Sequence, residues 1–224
     1  MSTATQHPVA APRPMVLHGY FRSAASWRVR IALALKGLPV RHAHHHLRHG
    51  MQRAPEYLAI NPQGLVPALA LDDGKVLTQS LAIIEWLDEA FPEPPMLPSG
   101  LIERAKARAI ALVLAADTHP LQNLGVLARL RGMGCPEPEV QTWAADANAA
   151  GLAACEALLM GTPDQFCFGD VPGLADVCVV PQLGNARRFG VEVARFPRLL
   201  EIEMSCMRLP AFFNAMPACQ PDAE

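Results

Sequence analysis

Residues 21–30 read FRSAASWRVR, and this segment decides how the rest of the chain is interpreted. It follows a short apolar run, MVL at residues 15–17, which predicts a strand. After it, apolar residues recur at the i, i+3, i+4 spacing of one helix face until Gly37, a typical helix stop. The segment therefore predicts a strand, a turn and a helix, with Ser23 close to the helix start.

Ser23 has two possible roles at that position. The first turn of a helix has unpaired backbone N–H groups and the positive end of the helix dipole. Such a place can hold an anion, and a bound thiolate is an anion. A serine there can also simply cap the helix, which is the more common role for this residue type. The segment alone leaves both roles open.

The composition restricts the class of protein. The chain has 224 residues, of which 51% are hydrophobic and 18% charged, as in a compact soluble protein. A formal net charge of −2 supplies no field to attract nucleic acid or an anionic membrane, and no apolar segment is long enough to span a bilayer. The six cysteines are scattered, which predicts free thiols in a reducing, cytoplasmic compartment. We expect residues 1–14 to form a disordered tail.

A group of five histidines raises the question of a metal site. Residues 40–47 predict a second strand, and alternation along it would put His42, His44 and His46 on one face. No cysteine or carboxylate close in the sequence completes a set of ligands. The sequence therefore favours an exposed, histidine-rich edge, and we predict no metal.

A hairpin and a second helix complete the first half. DDGK at residues 72–75, between two apolar runs, predicts a β-hairpin. Pro67 cannot donate a hydrogen bond inside a sheet, so we expect it at the start or the edge of a strand. Gln79 and Ser80 then introduce a helix over residues 81–90, with Ser80 as its N-cap. A helix start with a hydroxyl and an amide side chain can also bind a carboxylate.

The second half is predicted to be entirely helical. A proline-rich linker at residues 93–101 separates a first domain, residues 15–92, from a second, residues 102–221. A long helical pattern covers residues 102–131, and Pro120 should kink it or split it in two.

Several polar residues of the second half have alternative roles. His119, Gln122 and Asn123 at the predicted kink could face a cleft or satisfy the backbone that the proline disrupts. Arg188, at the end of an apolar helix, could complement the helix dipole or bind a substrate carboxylate. Asp176 lies in a first helical turn, where we predict a role in folding.

Several short motifs, taken in order, resemble the zeta-class glutathione transferases, the class that includes maleylacetoacetate and maleylpyruvate isomerases. They cover nearly all of residues 15–221, and the ordered set is far more specific than any single motif. They are FRS at 21–23, SWRVRIALALKG at 26–37, NP at 61–62, VP at 66–67, QSLAIIE at 79–85, PLQNL at 120–124, VVPQ at 179–182 and NARRF at 185–189. The resemblance implies an α/β N-terminal thioredoxin-like domain, an all-α C-terminal domain and a homodimer.

The resemblance also implies glutathione as the cofactor. Val66, before a cis proline, would pair with the cysteinyl backbone, and Gln79 and Ser80 would hold the γ-glutamyl end. Ser23 would hydrogen-bond the sulfur and stabilise the thiolate, since a free thiol with a pKa of about 8.5 is only slightly ionised at neutral pH. Further contacts are implied for Gln52, His119, Gln122 and Asn123.

The implied reaction is a cis–trans isomerisation of a small dicarboxylate. The thiolate adds to the activated double bond of a maleyl diketo acid, the bond rotates, and glutathione leaves with the trans product. Arg22 and Arg188 would receive the substrate carboxylates, with Arg22 acting beside Ser23 in catalysis. The leading hypothesis is a maleylacetoacetate isomerase of aromatic amino-acid catabolism.

Three departures from the family pattern keep alternatives open. The active turn reads SAAS at residues 23–26 where the family often has SSCS, and Leu124 and Gly125 stand where some maleylpyruvate isomerases have arginine. Gly173 replaces a Ser or Thr cap, a change expected to cost a few tenths of a kcal/mol. The alternatives are a maleylpyruvate isomerase, a general transferase acting on electrophiles such as α-halo acids, and a non-catalytic glutathione-binding protein.

Overall fold

A computed structural model describes residues 15–162 and 164–224. The tail predicted for residues 1–14 lies outside the described residues. The first half contains a small sheet with helices packed on it. Its elements are β1 (Met15–Gly19), α1 (Ala24–Leu35), β2 (Val40–His44), α2 (Pro55–Leu58), β3 (Ala68–Ala70), β4 (Val76–Thr78) and α3 (Ser80–Ala90).

The sheet has the strand order β2-β1-β3-β4. β1 and β2 run parallel because α1 connects them as a crossover, whereas β3 pairs antiparallel with both β1 and β4. Leu17 of β1 lies opposite Leu69 of β3, and both side chains are buried. The predicted strand, turn and helix around residues 21–30 and the predicted hairpin are therefore present.

The second half is helical. Its helices are α4 (Leu101–Leu112), α5 (Leu124–Gly132), α6 (Glu137–Leu159), α7 (Leu174–Arg188), α8 (Pro197–Met207) and α9 (Pro210–Phe213). The pattern over residues 102–131 is split, as Pro120 predicted: a π-helical segment (Val113–Thr118) and a 3-10 turn (His119–Gln122) separate α4 from α5. None of the described helices combines the length and the apolar character needed to cross a membrane.

The two halves share one hydrophobic core. Its buried side chains come from the sheet, α1 and α3 as well as from α4, α6, α7 and α8. Trp27 of α1 packs against α7 at Gly184, where an added Cβ would lie 2.7 Å from the indole ring. Close approach at this glycine holds the start of α1 against the second half, so the cleft between the halves is built by packing. The predicted boundaries at residues 92–102 remain a proposal.

Two local predictions are wrong. Ser80 is the first residue of α3 and not its N-cap; Gln79 occupies that position with φ +69° and makes no side-chain cap. Strand β2 ends at His44, so it is shorter than residues 40–47. His46 lies beyond the strand and stacks on His49, with ring centroids 3.8 Å apart. No group of three or more His, Cys, Asp or Glu side chains within residues 15–162 and 164–224 is arranged to hold a metal ion.

Asp176 has the structural role predicted for it. Its side chain is buried in the first turn of α7 and accepts hydrogen bonds from the backbone N–H groups of Gly173 and Cys167, both at 2.8 Å. A Cβ at Gly173 would lie 2.6 Å from the Met96 carbonyl oxygen, which accepts a hydrogen bond from Leu174 N–H. This close approach of two backbone segments therefore requires a glycine at residue 173. The sequence pattern, which indicates only a weaker helix cap at Gly173, does not predict it.

Candidate active site

Two adjoining cavities lie where the halves meet. The larger, which we call the cleft, has a volume of about 620 Å³, and the smaller, the arginine pocket, about 310 Å³. Ser23, His119 and Asn123 line both cavities, so Ser23 stands at their junction. Of the predicted glutathione contacts, all line the cleft except Gln122, which lines the arginine pocket; the cleft set is Ser23, Gln52, Val66, Gln79, Ser80, His119 and Asn123.

Ser23 caps α1 and also faces the cavities. Its Oγ accepts a hydrogen bond from Ser26 N–H at 3.2 Å, and its own backbone N–H donates to Tyr20 O at 3.0 Å in the preceding turn. A serine hydroxyl has one proton and two lone pairs, so capping uses a lone pair and leaves the proton to donate elsewhere. The two roles that the sequence left open are therefore compatible in one side chain.

Val66 lies just before the paired part of β3. The Val66–Pro67 peptide bond is cis, and the β1–β3 ladder begins only at Ala68. The preceding carbonyl, that of Leu65, accepts hydrogen bonds from Tyr57 Oη at 2.5 Å and from Asn61 Nδ2 at 2.7 Å. These contacts anchor the loop, while the β1–β3 ladder leaves the Val66 backbone groups to an extended ligand.

The start of α3 forms the polar end of the cleft. Strand β4 ends at Thr78 and α3 begins at Ser80, so Gln79 alone connects them and takes a positive φ. Backbone strain of this kind is concentrated at functional sites. The Gln79 Nε2 donates to Gln63 Oε1 at 2.8 Å, which orients the amide.

Arg28 is a buried cation behind Ser80, and it also lines the cleft. It is 1% exposed and donates to Ser80 Oγ at 3.5 Å, to Leu114 O at 3.5 Å and to Gln182 Oε1 at 3.4 Å. Burial lowers its pKa, yet arginine stays protonated at neutral pH. Because Ser80 Oγ accepts from this guanidinium, its own proton is free to point into the cleft. Sequence reasoning did not single out Arg28; the signal was a charged residue on the apolar face of α1.

Three arginine side chains from distant parts of the chain lie together in the arginine pocket. Arg22 precedes α1, Arg48 lies in a 3-10 turn after β2, and Arg188 ends α7. Burial lowers the pKa of Arg188, and the charges of the other two lower it further. No ion pair within the described part of the chain includes any of the three. A hydrogen bond with His46, and then the charges of Arg22 and Arg48, lower the pKa of the Glu224 carboxyl, so these two arginines have a carboxylate nearby. Three mutually repelling cations still make a site for an anion.

Neighbouring arginines are engaged elsewhere. Arg187 forms an ion pair with Glu203, away from the pocket. Arg131 lines the pocket but donates to both carboxylate oxygens of Glu137, at 2.7 and 2.8 Å. The unpaired cations are therefore the two that the sequence predicted, Arg22 and Arg188, together with Arg48, which it missed.

His119 adds a neutral polar group at the junction. Burial, and then the charges of Arg28 and Arg188, lower its pKa to about 3. The ring is therefore neutral at physiological pH, and its Nδ1 lies 3.2 Å from Gln122 Nε2. With Nδ1 accepting from that amide, the Nε2–H becomes a hydrogen-bond donor.

Comparisons with known proteins agree with this arrangement. Residues 22–90 match the family model "Glutathione S-transferase, N-terminal domain", and residues 138–202 match "Glutathione S-transferase, C-terminal domain". The chain is 48% identical to maleylacetoacetate isomerase of Pseudomonas aeruginosa over 211 residues, 93% of this chain and 98% of that protein.

Solved structures show the same similarity. One is the holo structure of maleyl pyruvate isomerase, a bacterial glutathione S-transferase in the zeta class, with a TM-score of 0.90 at 41% identity, covering 93% of this chain and 100% of that one. Another is maleylacetoacetate isomerase from Methylobacterium extorquens AM1 with bound malonate and GSH, with a TM-score of 0.90 at 39% identity, covering 93% and 99%. The shared sequence and fold show that the chain belongs to the glutathione S-transferase family, in its zeta class.

Proposed function

We propose that this protein is a glutathione-dependent isomerase that converts maleylacetoacetate to fumarylacetoacetate in aromatic amino-acid catabolism. The observation that carries the proposal is the position of Ser23 between a cleft that suits glutathione and a pocket lined by three arginines that form no ion pair among the described residues. Relatives of this chain named maleylacetoacetate isomerase support the choice of substrate, as does the solved relative that holds malonate, a dicarboxylate, together with GSH.

The residues of the cleft fit glutathione. Ser80 and Gln79 would bind the γ-glutamyl carboxylate at the start of α3, with the buried charge of Arg28 behind them. The Val66 backbone would pair with the cysteinyl residue. Gln52 fits as a further contact, because its Oε1 is buried and has no hydrogen-bond partner in the described part of the chain. His119 and Asn123 would complete the contacts from the second half.

The chain's own residues would then set the chemistry. Bound glutathione supplies a thiolate that adds to the substrate double bond and leaves again after rotation, so none is consumed. Ser23 would donate a hydrogen bond from its hydroxyl to the sulfur and so lower the pKa of the glutathione thiol. A lower pKa raises the fraction of glutathione that is thiolate, the nucleophile, at neutral pH. Arg22 and Arg188 would hold the substrate carboxylates and stabilise negative charge that develops on the conjugated carbonyl during addition.

A homodimer in the cytoplasm completes the proposal. Large apolar side chains are exposed at the start of α4, where Leu101 is 83% and Ile102 65% exposed. A second copy of the chain could cover such residues.

A second candidate substrate is maleylpyruvate. The solved maleyl pyruvate isomerase superposes on this chain with a TM-score of 0.90, and Arg48 supplies a cation in the pocket although residues 124 and 125 do not. Because both substrates carry a maleyl group and two carboxylates, the pocket as described accommodates either. A comparison of the two kcat/KM values decides between them.

The test is an ultraviolet assay with maleylacetoacetate, with and without glutathione, coupled to fumarylacetoacetate hydrolase, and a parallel assay with maleylpyruvate. Glutathione-dependent turnover with no net loss of glutathione is the expected result. Consumption of glutathione, or turnover of α-halo acids alone, would instead identify a conjugating transferase. Glutathione binding without any turnover would identify a non-catalytic binding protein.

A further inference from the structure

The C-terminal segment of the chain, residues 214–224, packs against the turn of residues 20–23, which carries Ser23. Asp222 Oδ2 accepts a hydrogen bond from Phe21 N–H at 3.0 Å, a contact between residues 201 positions apart. Phe21 immediately precedes Arg22 and Ser23. The C-terminal segment therefore contacts the backbone of this turn, two residues before Ser23, the predicted sulfur ligand.

Arg30 donates hydrogen bonds to the carbonyl groups on both sides of Phe21. Its Nη2 donates to Phe21 O at 2.9 Å, its Nη1 to Tyr20 O at 3.4 Å, and its Nε to Ala215 O at 3.1 Å. The guanidinium is buried, which lowers its pKa to about 10, and the charge of Asp222 opposes that effect. Arg30 is therefore protonated at neutral pH and links the turn to the C-terminal segment.

Asp222 is well placed to act on this turn and on little else. Its side chain is 15% exposed, and its second oxygen lies 3.0 Å from His44 Nδ1 at the end of β2. It does not line the cleft or the arginine pocket. Its effect on a reaction would have to pass through the backbone of the turn.

We propose that Asp222 is a positioning residue: with Arg30, it fixes the turn of residues 20–23 so that the Ser23 hydroxyl meets the thiol sulfur. The role rests on the proposed function, since it presumes glutathione in the cleft. Both the N–H and the C=O of Phe21 are held, so the peptide planes on either side of Phe21 cannot rotate freely. Hydrogen bonds weaken steeply when distance or angle departs from the optimum, so a loosened turn lowers thiolate stabilisation.

The experiment compares three variants of the full chain. Asp222→Ala removes the acceptor, whereas Asp222→Asn keeps an amide oxygen that can accept from Phe21 N–H. Asp73→Ala is the control, because Asp73 is an exposed carboxylate in the hairpin between β3 and β4 that pairs with Lys75 and lines neither cavity. The measurements are the pKa of the bound glutathione thiol from thiolate absorbance, the Kd of glutathione, kcat, Tm, and hydrogen exchange of the Phe21 amide.

The expected results distinguish a positioning role of Asp222 from a role in the stability of the fold. Asp222→Ala should raise the pKa of the bound thiol, lower kcat about three- to tenfold and speed exchange at Phe21, with little change in the Kd of glutathione. Asp222→Asn should restore most of the loss, and Asp73→Ala should behave as wild type. An unchanged thiol pKa and unchanged Phe21 exchange in Asp222→Ala would overturn the role, as would an equal loss in Asp73→Ala. Wild-type protein that binds no glutathione would overturn the proposed function and this role together.

Discussion

Replacing Ser23 separates the two roles of one hydroxyl, the observed cap of α1 and the proposed hydrogen bond to the glutathione sulfur. Ser23→Ala removes both the cap of α1 and the proton aimed at the sulfur, whereas Ser23→Gly removes the proton but costs the cap only a few tenths of a kcal/mol. Loss of the cap in the alanine variant should lower the free energy of unfolding by about 1 kcal/mol. In a chain of this size that is a fall in Tm of about 2–4 °C.

The catalytic loss follows from the ionisation of the thiol. A thiol with a pKa of about 8.5 is roughly 3% ionised at pH 7, whereas one lowered to about 6.5 is roughly three-quarters ionised. Losing the hydroxyl should therefore cut the rate about 25-fold at pH 7, equally in both variants. As the pH rises through the pKa of the free thiol, the variants regain thiolate and the difference from wild type should shrink.

The assay measures thiolate absorbance of the glutathione complex and kcat/KM across neutral and alkaline pH, with Tm alongside. Equal rate losses in both variants, with a lower Tm only in the alanine variant, would support a direct role in thiolate stabilisation. Two results would refute the reasoning. One is a wild-type thiol pKa in both variants. The other is a rate loss only in Ser23→Ala, in step with its Tm, which would leave Ser23 as a helix cap.

Three further substitutions test the rest of the site and its support. Arg188→Met should raise KM for the dicarboxylate about ten- to hundredfold while the Kd of glutathione stays constant; Arg187→Met, whose side chain points away from the pocket, is the control and should keep the wild-type KM. Gly173→Ala should lower the free energy of unfolding by about 1–3 kcal/mol, because its Cβ would meet the Met96 carbonyl; an unchanged Tm would contradict that close approach. Gln79→Gly should weaken glutathione binding about tenfold yet leave Tm unchanged or slightly higher, since it relieves a positive φ; calorimetry and thermal melts that show the reverse would exclude Gln79 from the site.

Local signals in the sequence predicted most of the elements. The apolar spacing after Ser23, the Asp-Gly turn before β4 and the break at Pro120 each act over a few residues, so short patterns reveal them. The N-cap of α3 was predicted wrongly because serine is preferred at caps. In the folded chain a single residue connects β4 to α3, and that constraint displaced Ser80 into the first helical turn.

Tertiary contacts account for what the sequence did not predict. Arg48 joins Arg22 and Arg188 only because the turn after β2 and the end of α7 meet at the arginine pocket. Arg28 belongs to a helix face that pattern analysis reads as core, and its partners lie on three other elements. The contact of Asp222 with the turn of residues 20–23 has no local signal in the sequence, since it joins residues that are 201 positions apart.

The contact between Trp27 and Gly184 has a consequence for substrate length. Ser23 caps the start of α1, and Arg188 lies at the end of α7, so the packing of the Trp27 ring on the Gly184 backbone helps to set the distance between the proposed sulfur ligand and the proposed carboxylate ligand. Neither Trp27 nor Gly184 lines the cleft or the arginine pocket. In the proposed site, a change of volume at this core contact should therefore alter the length of diacid that is accepted, although neither residue touches the substrate.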